Sequence, residues 1–144
     1  MHIFLAGVMQ GSRLDGDIAP QDYRQRITQV LQSYLPTVTI SDPWALHPNS
    51  VSYESPKIED TFINMTRLAG SADVLIAYLP WASMGTAVEM WTAYHAGKYI
   101  IAVTPMSYNW LVKVTANEVL PDLDSLVDYI ASGRRQHLLQ QLKG

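Results

Sequence analysis

The chain reads as an α/β domain with a parallel sheet of about five strands and helices on both faces. Three observations predict this. Short apolar runs alternate with stretches of helical periodicity along the whole chain. The run "DVLIAYL" at residues 73–79 is uninterrupted and apolar, as expected of a central strand covered on both faces. Glycine or proline punctuates the junctions, so each element is short and bounded.

Taken in order, "HIFLAG" at residues 2–7 is a buried strand ending in glycine. Between residues 20 and 34, Tyr23, Ile27, Val30, Leu31 and Tyr34 fall on one helical face, and Pro36 ends that helix. "TVTIS" at 37–41 is rich in β-branched residues and gives a second strand. Residues 42–56 carry three prolines and are expected to form a long loop. A helix follows from 56 or 57 to 70, with Ile58, Phe62, Met65 and Leu68 or Ala69 inward. After the strand at 73–79 comes a helix over 84–97 that Gly97 stops, then the strand "YIIAVTP". "SYNWLVKVTANEVL" reads as a short helix and a fifth short strand, and residues 121–133 and 134–142 as two more helices. The arrangement is Rossmann-like, of the flavodoxin-like kind, with the 144 residues as a single domain.

Composition narrows the function. A net charge of -3, from 10 basic and 13 acidic residues, is too mild for a nucleic-acid or membrane-surface partner. The absence of cysteine excludes disulfides, thiolate zinc sites and a cysteine nucleophile. No stretch is long enough to span a bilayer, and "MHIFLAGVMQGS" lacks a basic leader, so a cytoplasmic protein is expected. The four histidines, His2, His47, His95 and His137, share no ligand spacing with carboxylates, so no metal site is expected; the reaction expected below needs no organic cofactor either.

In parallel sheets, ligands sit beyond the carboxyl ends of the strands. That rim collects residues 7–13, 42–53, 80–89 and 105–113. "AGVMQGSR" at 6–13 is neither GxGxxG nor a Walker loop; it reads either as a turn needing glycine or as a backbone cradle for a sugar or phosphate. Ser83 is placed to cap the helix at 84–97, leaving free N–H groups at Met84, Gly85 and Thr86, either as a plain cap or as an anion site. Glu89 is the only acidic residue between Asp73 and Glu118. Its helical neighbours Gly85, Thr86, Thr92 and Ala93 are all small, which leaves room for a ligand and favours a functional role over a merely solvent-facing glutamate. Trp44, His47, Asn49 and Tyr53 form either a wall for a planar base or loop packing.

With these residues in view, the sequence resembles the nucleoside 2-deoxyribosyltransferase superfamily over residues 3–117. The strongest piece is "ADVLIAYLPWASMGTAVEMWTAYHAGKYIIAVTP" at 72–105, which matches the family's strand, S-x-G-x-x-x-E turn and helix, and next strand. "FLAGVMQGSR" matches its first strand and glycine loop more loosely. The resemblance implies that Glu89 is the nucleophile that attacks the anomeric carbon, kept ionised with help from the helix N-terminus. Members acting on free nucleosides tend to carry an acid where Ser83 stands, so the chain resembles the branch hydrolysing nucleoside 5′-monophosphates. Phe4, where that branch often has tyrosine, resembles the CMP-hydrolysing members, which accept ribose. The family's aspartate eight residues before Asp73 is replaced by Met65, with Asn64 adjacent and Asp60 a turn earlier; its phosphate-binding arginine is replaced by Gln10, with Arg13 close by.

The expected function is therefore hydrolysis of the N-glycosidic bond of a nucleoside 5′-monophosphate. Gly7, Gln10, Gly11, Ser12, Arg13, Ser83 and Gly85 would hold phosphate and ribose, with Phe4 near the sugar. Trp44, His47 and Asn49 would face the base. The rivals are a deoxyribosyltransferase exchanging bases and a non-catalytic nucleotide-binding module. The resemblance further implies a homodimer or larger homo-oligomer, in which the segment at 106–117 completes the neighbouring site through Asn109 and Lys113. Tyr108, Trp110, Leu111 and Val112 are its candidate anchors.

Overall fold

A computed structural model describes residues 1–11, 13–141 and 143, with Gln141 described in its backbone only. Five strands form one parallel sheet: β1 (His2–Gly7), β2 (Thr39–Ser41), β3 (Val74–Tyr78), β4 (Tyr99–Val103) and β5 (Glu118–Leu120). Their order is β2-β1-β3-β4-β5, so β3 is central and the chain reverses direction of winding between β1 and β3. The helices are α1 (Asp22–Tyr34), α2 (Pro43–Leu46), α3 (Lys57–Ser71), α4 (Met84–His95), α5 (Trp110–Thr115), α6 (Leu123–Ala131) and α7 (Arg134–Gln141).

Strand alternation divides the core in two. Ile3, Leu5, Val74, Ile76, Ile101 and Val103 face α1 and α6, meeting Tyr23, Ile27, Leu31 and Leu126. Phe4, Ala6, Leu75, Ala77, Ile100 and Ala102 face α3, α4 and α5, meeting Ala69, Met90, Ala93 and Val112. Each large side chain buried here contributes about 2 kcal/mol. On the second face the register sets Phe4, Leu75 and Ile100 in one row and Ala6, Ala77 and Ala102 in the next. Side-chain volume thus falls abruptly toward the C-terminal rim, on the side where α4 packs.

Four helices begin on a side-chain cap: Asp42 for α2, Ser83 for α4, Asn109 for α5 and Asp122 for α6. Gly97 (φ +68) follows the end of α4. The structure departs from the sequence expectations in five places. α1 starts at Asp22 rather than at residue 20, and β2 keeps only Thr39–Ser41. The expected loop at 42–56 contains α2 and a 3-10 turn at Ser50–Ser52, because Pro43 suits a helix's first turn and Asp42 caps it. In α3 only the C-terminal half turns inward: Ala69 is buried, while Ile58 and Phe62 are 50% and 51% exposed. Finally, Leu111 and Val112 pack into this chain's own core rather than outward.

Candidate active site

The site is built at the C-terminal ends of β1 and β3, from the glycine loop after β1, the start of α4 after β3, and a charged residue of α1. The first is the glycine loop. Val8 N–H still donates to Tyr78 O at 3.2 Å, so the loop leaves the sheet only after Val8. At Gly7 a Cβ would lie 2.2 Å from the Tyr23 hydroxyl, and at Gly11 (φ +60) one would lie 2.4 Å from Trp81 Nε1. Both glycines are therefore required by close approach, and Gly11 also by its left-handed backbone. The amides of Met9, Gln10 and Gly11 have no acceptor among the described residues. Gln10 and Arg13 point to solvent, and Arg13 reaches Asp17 at 3.4 Å. Ser12 lies outside the described residues.

The second segment is the start of α4. Ser83 Oγ accepts from Thr86 N–H at 3.4 Å and from the Thr86 hydroxyl at 3.0 Å. The cap thus satisfies one of the three amides expected to be free, leaving those of Met84 and Gly85. Gly85 is exposed, with nothing within 4 Å of a Cβ placed there. Two turns into the helix, Glu89 is half-buried between the buried Thr86, Met90 and Ala93. Removal from water raises its carboxyl to about 8, and the Arg24 guanidinium draws it partly back. The expectation that the helix end keeps Glu89 ionised is thereby corrected. Dipole effects fade beyond the first turn, and burial outweighs what remains.

The third component was not anticipated from the sequence. Arg24, on α1, is 3% exposed. Its guanidinium donates to Leu5 O at 3.0 Å, Gly7 O at 3.2 Å, Gln21 Oε1 at 2.7 Å and Asp42 Oδ1 at 2.8 Å. Beside it, the Tyr23 hydroxyl donates to Val8 O at 3.1 Å, and its ring meets that of Tyr78 with centroids 4.3 Å apart. Burial holds the Tyr23 phenol far above its usual range, so it acts as a neutral donor. A signal was present in the sequence: Arg24 precedes Ile27 by three and Leu31 by seven, on the buried stripe of α1.

The remaining candidates are spread more widely. Phe4 is fully buried on the α4 face, so it can floor the site but presents no open surface. His47 Nδ1 pairs with the Tyr53 hydroxyl at 3.0 Å; Trp44 and His47 are half-buried and Asn49 is exposed. Asn109 spends its side-chain oxygen on the amides of Leu111 and Val112. Lys113 is exposed, its ammonium 5.2 Å from the centre of the Tyr108 ring. An apolar cavity of about 480 Å³, walled by Val8, Tyr23, Tyr78, Pro80 and Trp81, opens at the ends of β1 and β3 but does not include Glu89. No group of metal-ligating side chains occurs among the described residues, and no described helix is long and apolar enough to cross a membrane.

No protein-family model and no curated protein matches the chain. Solved structures do. A 2-deoxyribosyltransferase from the psychrotolerant bacterium Bacillus psychrosaccharolyticus superposes with a TM-score of 0.63 at 18% identity, over 90% of this chain and 92% of that one. A conserved protein from Enterococcus faecalis V583 superposes with a TM-score of 0.61 at 19% identity, over 91% of this chain and 97% of that one. The chain therefore has the fold of the deoxyribosyltransferase structure, with its five-stranded all-parallel sheet.

Proposed function

We propose that the chain is an enzyme that cleaves the N-glycosidic bond of a nucleoside 5′-monophosphate, with Glu89 as nucleophile. The observation that carries this reading is Glu89 itself: a half-buried carboxyl on the helix whose start Ser83 caps, beyond the C-terminal end of the central strand. In the first step a Glu89 carboxylate oxygen bonds to C1′ as the C1′–N bond breaks. The electron pair leaves with the base, which takes a proton from solvent. In the second step water attacks C1′, its proton is lost to solvent, and Glu89 is released with free sugar 5-phosphate.

The amides of Met84 and Gly85, at the positive end of α4, would hold the phosphate, with the loop amides of residues 9–11 alongside. Neither the capping residue Ser83 nor the first turn of α4 carries an acidic side chain that would repel a phosphate there. Trp44, His47 and Asn49 would bound the base. We also propose that the active unit is a homodimer. Tyr108 and Trp110 support this, being 86% and 84% exposed on the segment that would reach a neighbouring site.

A second reading, base exchange, is favoured by the likeness to a 2-deoxyribosyltransferase. One experiment separates the two. The protein is incubated with a panel of nucleosides and 5′-monophosphates, with and without a second free base. Hydrolysis gives free base and sugar 5-phosphate in both cases; exchange gives a new nucleoside or nucleotide only when the second base is present. Nucleotide binding with no base release from any substrate would overturn both.

A further inference from the structure

β1 runs for six residues, but β2 pairs only with its first part, His2 to Phe4. Beyond that pairing, α1 and the segment that enters it take over. The Arg24 guanidinium donates to Leu5 O and Gly7 O. Gln21 Nε2 and the Tyr23 hydroxyl both donate to Val8 O, each at 3.1 Å, and Ala19 N–H donates to Met9 O at 2.6 Å. In a planar trans peptide the C=O of one residue and the N–H of the next point opposite ways. Holding Val8 O and Met9 O on the α1 side therefore turns the N–H groups of Met9 and Gln10 away from it. Those are two of the three loop amides without an acceptor among the described residues.

Arg24 is tied to a second segment as well. Its Nη1 donates to Asp42 Oδ1 at 2.8 Å, and the same oxygen accepts from Trp44 N–H at 3.0 Å to start α2. α2 is a single turn that ends at His47, whose N–H donates to Pro43 O at 2.9 Å. Trp44 and His47 thus take their places from a short helix whose first cap is the oxygen that Arg24 holds. One buried guanidinium, its Nε spent on Gln21 Oε1, joins the end of β1 to the start of α2. The planar fork is what makes this possible: its donors point to acceptors on three sides, whereas an ammonium carries all of its donors on one atom. A buried ion pair is weak evidence for stability, so the connection it makes is its more informative feature.

We propose that Arg24 is a positioning residue of this site, and that the Arg24–Asp42 pair sets the spacing between the loop amides of Met9 and Gln10 and the turn that carries Trp44 and His47, so that one nucleotide engages both at once. The consequence for binding rests on the reading of these two segments as phosphate and base contacts; the mechanical link does not. A ligand that bridges two correctly spaced contacts binds far more tightly than either of its parts. An error in the spacing forfeits that gain while leaving each contact intact.

The test cuts the pair from either side, in a Glu89→Ala parent so that no ligand is consumed. Arg24→Lys keeps the charge but not the fork, and Asp42→Ser keeps a cap for α2 but not the reach to Arg24. Calorimetry measures the binding of inorganic phosphate, of the common ribo- and deoxyribonucleosides, and of their 5′-monophosphates. In both variants the phosphate and nucleoside affinities should stay within about twofold of the parent, while the affinity for the 5′-monophosphate should fall by about tenfold or more. Equal weakening of all three, or an unchanged 5′-monophosphate affinity in a folded variant, overturns the inference. A second measurement needs no ligand. Asp42→Asn, the mildest change, should shift the backbone amide NMR signals of Met9 and Gln10 across the pair. Unmoved signals also overturn the inference, and they decide the matter if the two harsher variants do not fold. Were the parent to bind none of the probes, the reading of the site would be refuted while the amide signals still judged the link. Were it to bind all three and ignore both cuts, only the inference on Arg24 would fall.

Discussion

The Tyr23 hydroxyl occupies the space that a side chain at Gly7 would need: a Cβ there would sit 2.2 Å from it. Tyr23 is itself fixed by its bond to Val8 O and by the Tyr78 ring, so it cannot swing aside cheaply. Gly7→Ala should therefore destabilise the fold by about 1–3 kcal/mol through overpacking. Denaturant unfolding checks this, and the Gly7→Ala, Tyr23→Phe double variant should recover part of the loss by removing the clashing oxygen.

Glu89 should make the protein less stable as pH rises. Its carboxyl titrates near 8 in the folded chain against 4.5 as a free side chain. Between those values the folded state holds the extra proton, so stability falls across that window and levels off above it; below it the group has no effect. Glu89→Gln should abolish this term. Its thermal midpoint should match wild type near pH 4 and exceed it by about 5 °C or more near pH 9. A constant difference between the two proteins at every pH would contradict the placement of Glu89.

The same titration shapes activity. The nucleophile must be ionised, so kcat/KM should rise with pH through about 8, and at pH 7 should reach about one-tenth of its plateau. A pH–rate profile that is flat from pH 6 to 9 would exclude this group as the one that titrates.

Ser83 should set the preference for phosphate. Ser83→Asp still caps α4 but places a carboxylate beside the amides of Met84 and Gly85. Base release from 5′-monophosphates should drop by about tenfold or more relative to free nucleosides, while the thermal midpoint should hold. Wild type preferring free nucleosides would refute this role.

Much of this was legible in the sequence, for identifiable reasons. The central strand stood out because "VLIAY" is covered on both faces and so carries no polar interruption. The start of α4 was legible because Ser83 is a strong cap. The face of α3 was misread at its N-terminal half, because apolar Ile58 and Phe62 continue the periodic pattern although both are about half exposed. Periodicity marks a face but does not show how much of it is covered. The Arg24–Asp42 pair, eighteen residues apart, was missed because it depends on β2 being short, which only strand pairing reveals. The ionisation of Glu89 was misjudged for a related reason: the helix end is visible in the sequence, while the burial that outweighs it is tertiary.

The central claim is that Glu89 carries the chemistry. The most direct measurement compares release of free base from 5′-monophosphates by wild type and Glu89→Ala, at pH 8.5, where wild-type Glu89 is largely ionised. Chromatography reads the base, and circular dichroism confirms that both chains are folded. The account predicts that wild type releases base and that Glu89→Ala is slower by about three orders of magnitude or more while still binding nucleotide. A folded Glu89→Ala that releases base at a near-normal rate would contradict it.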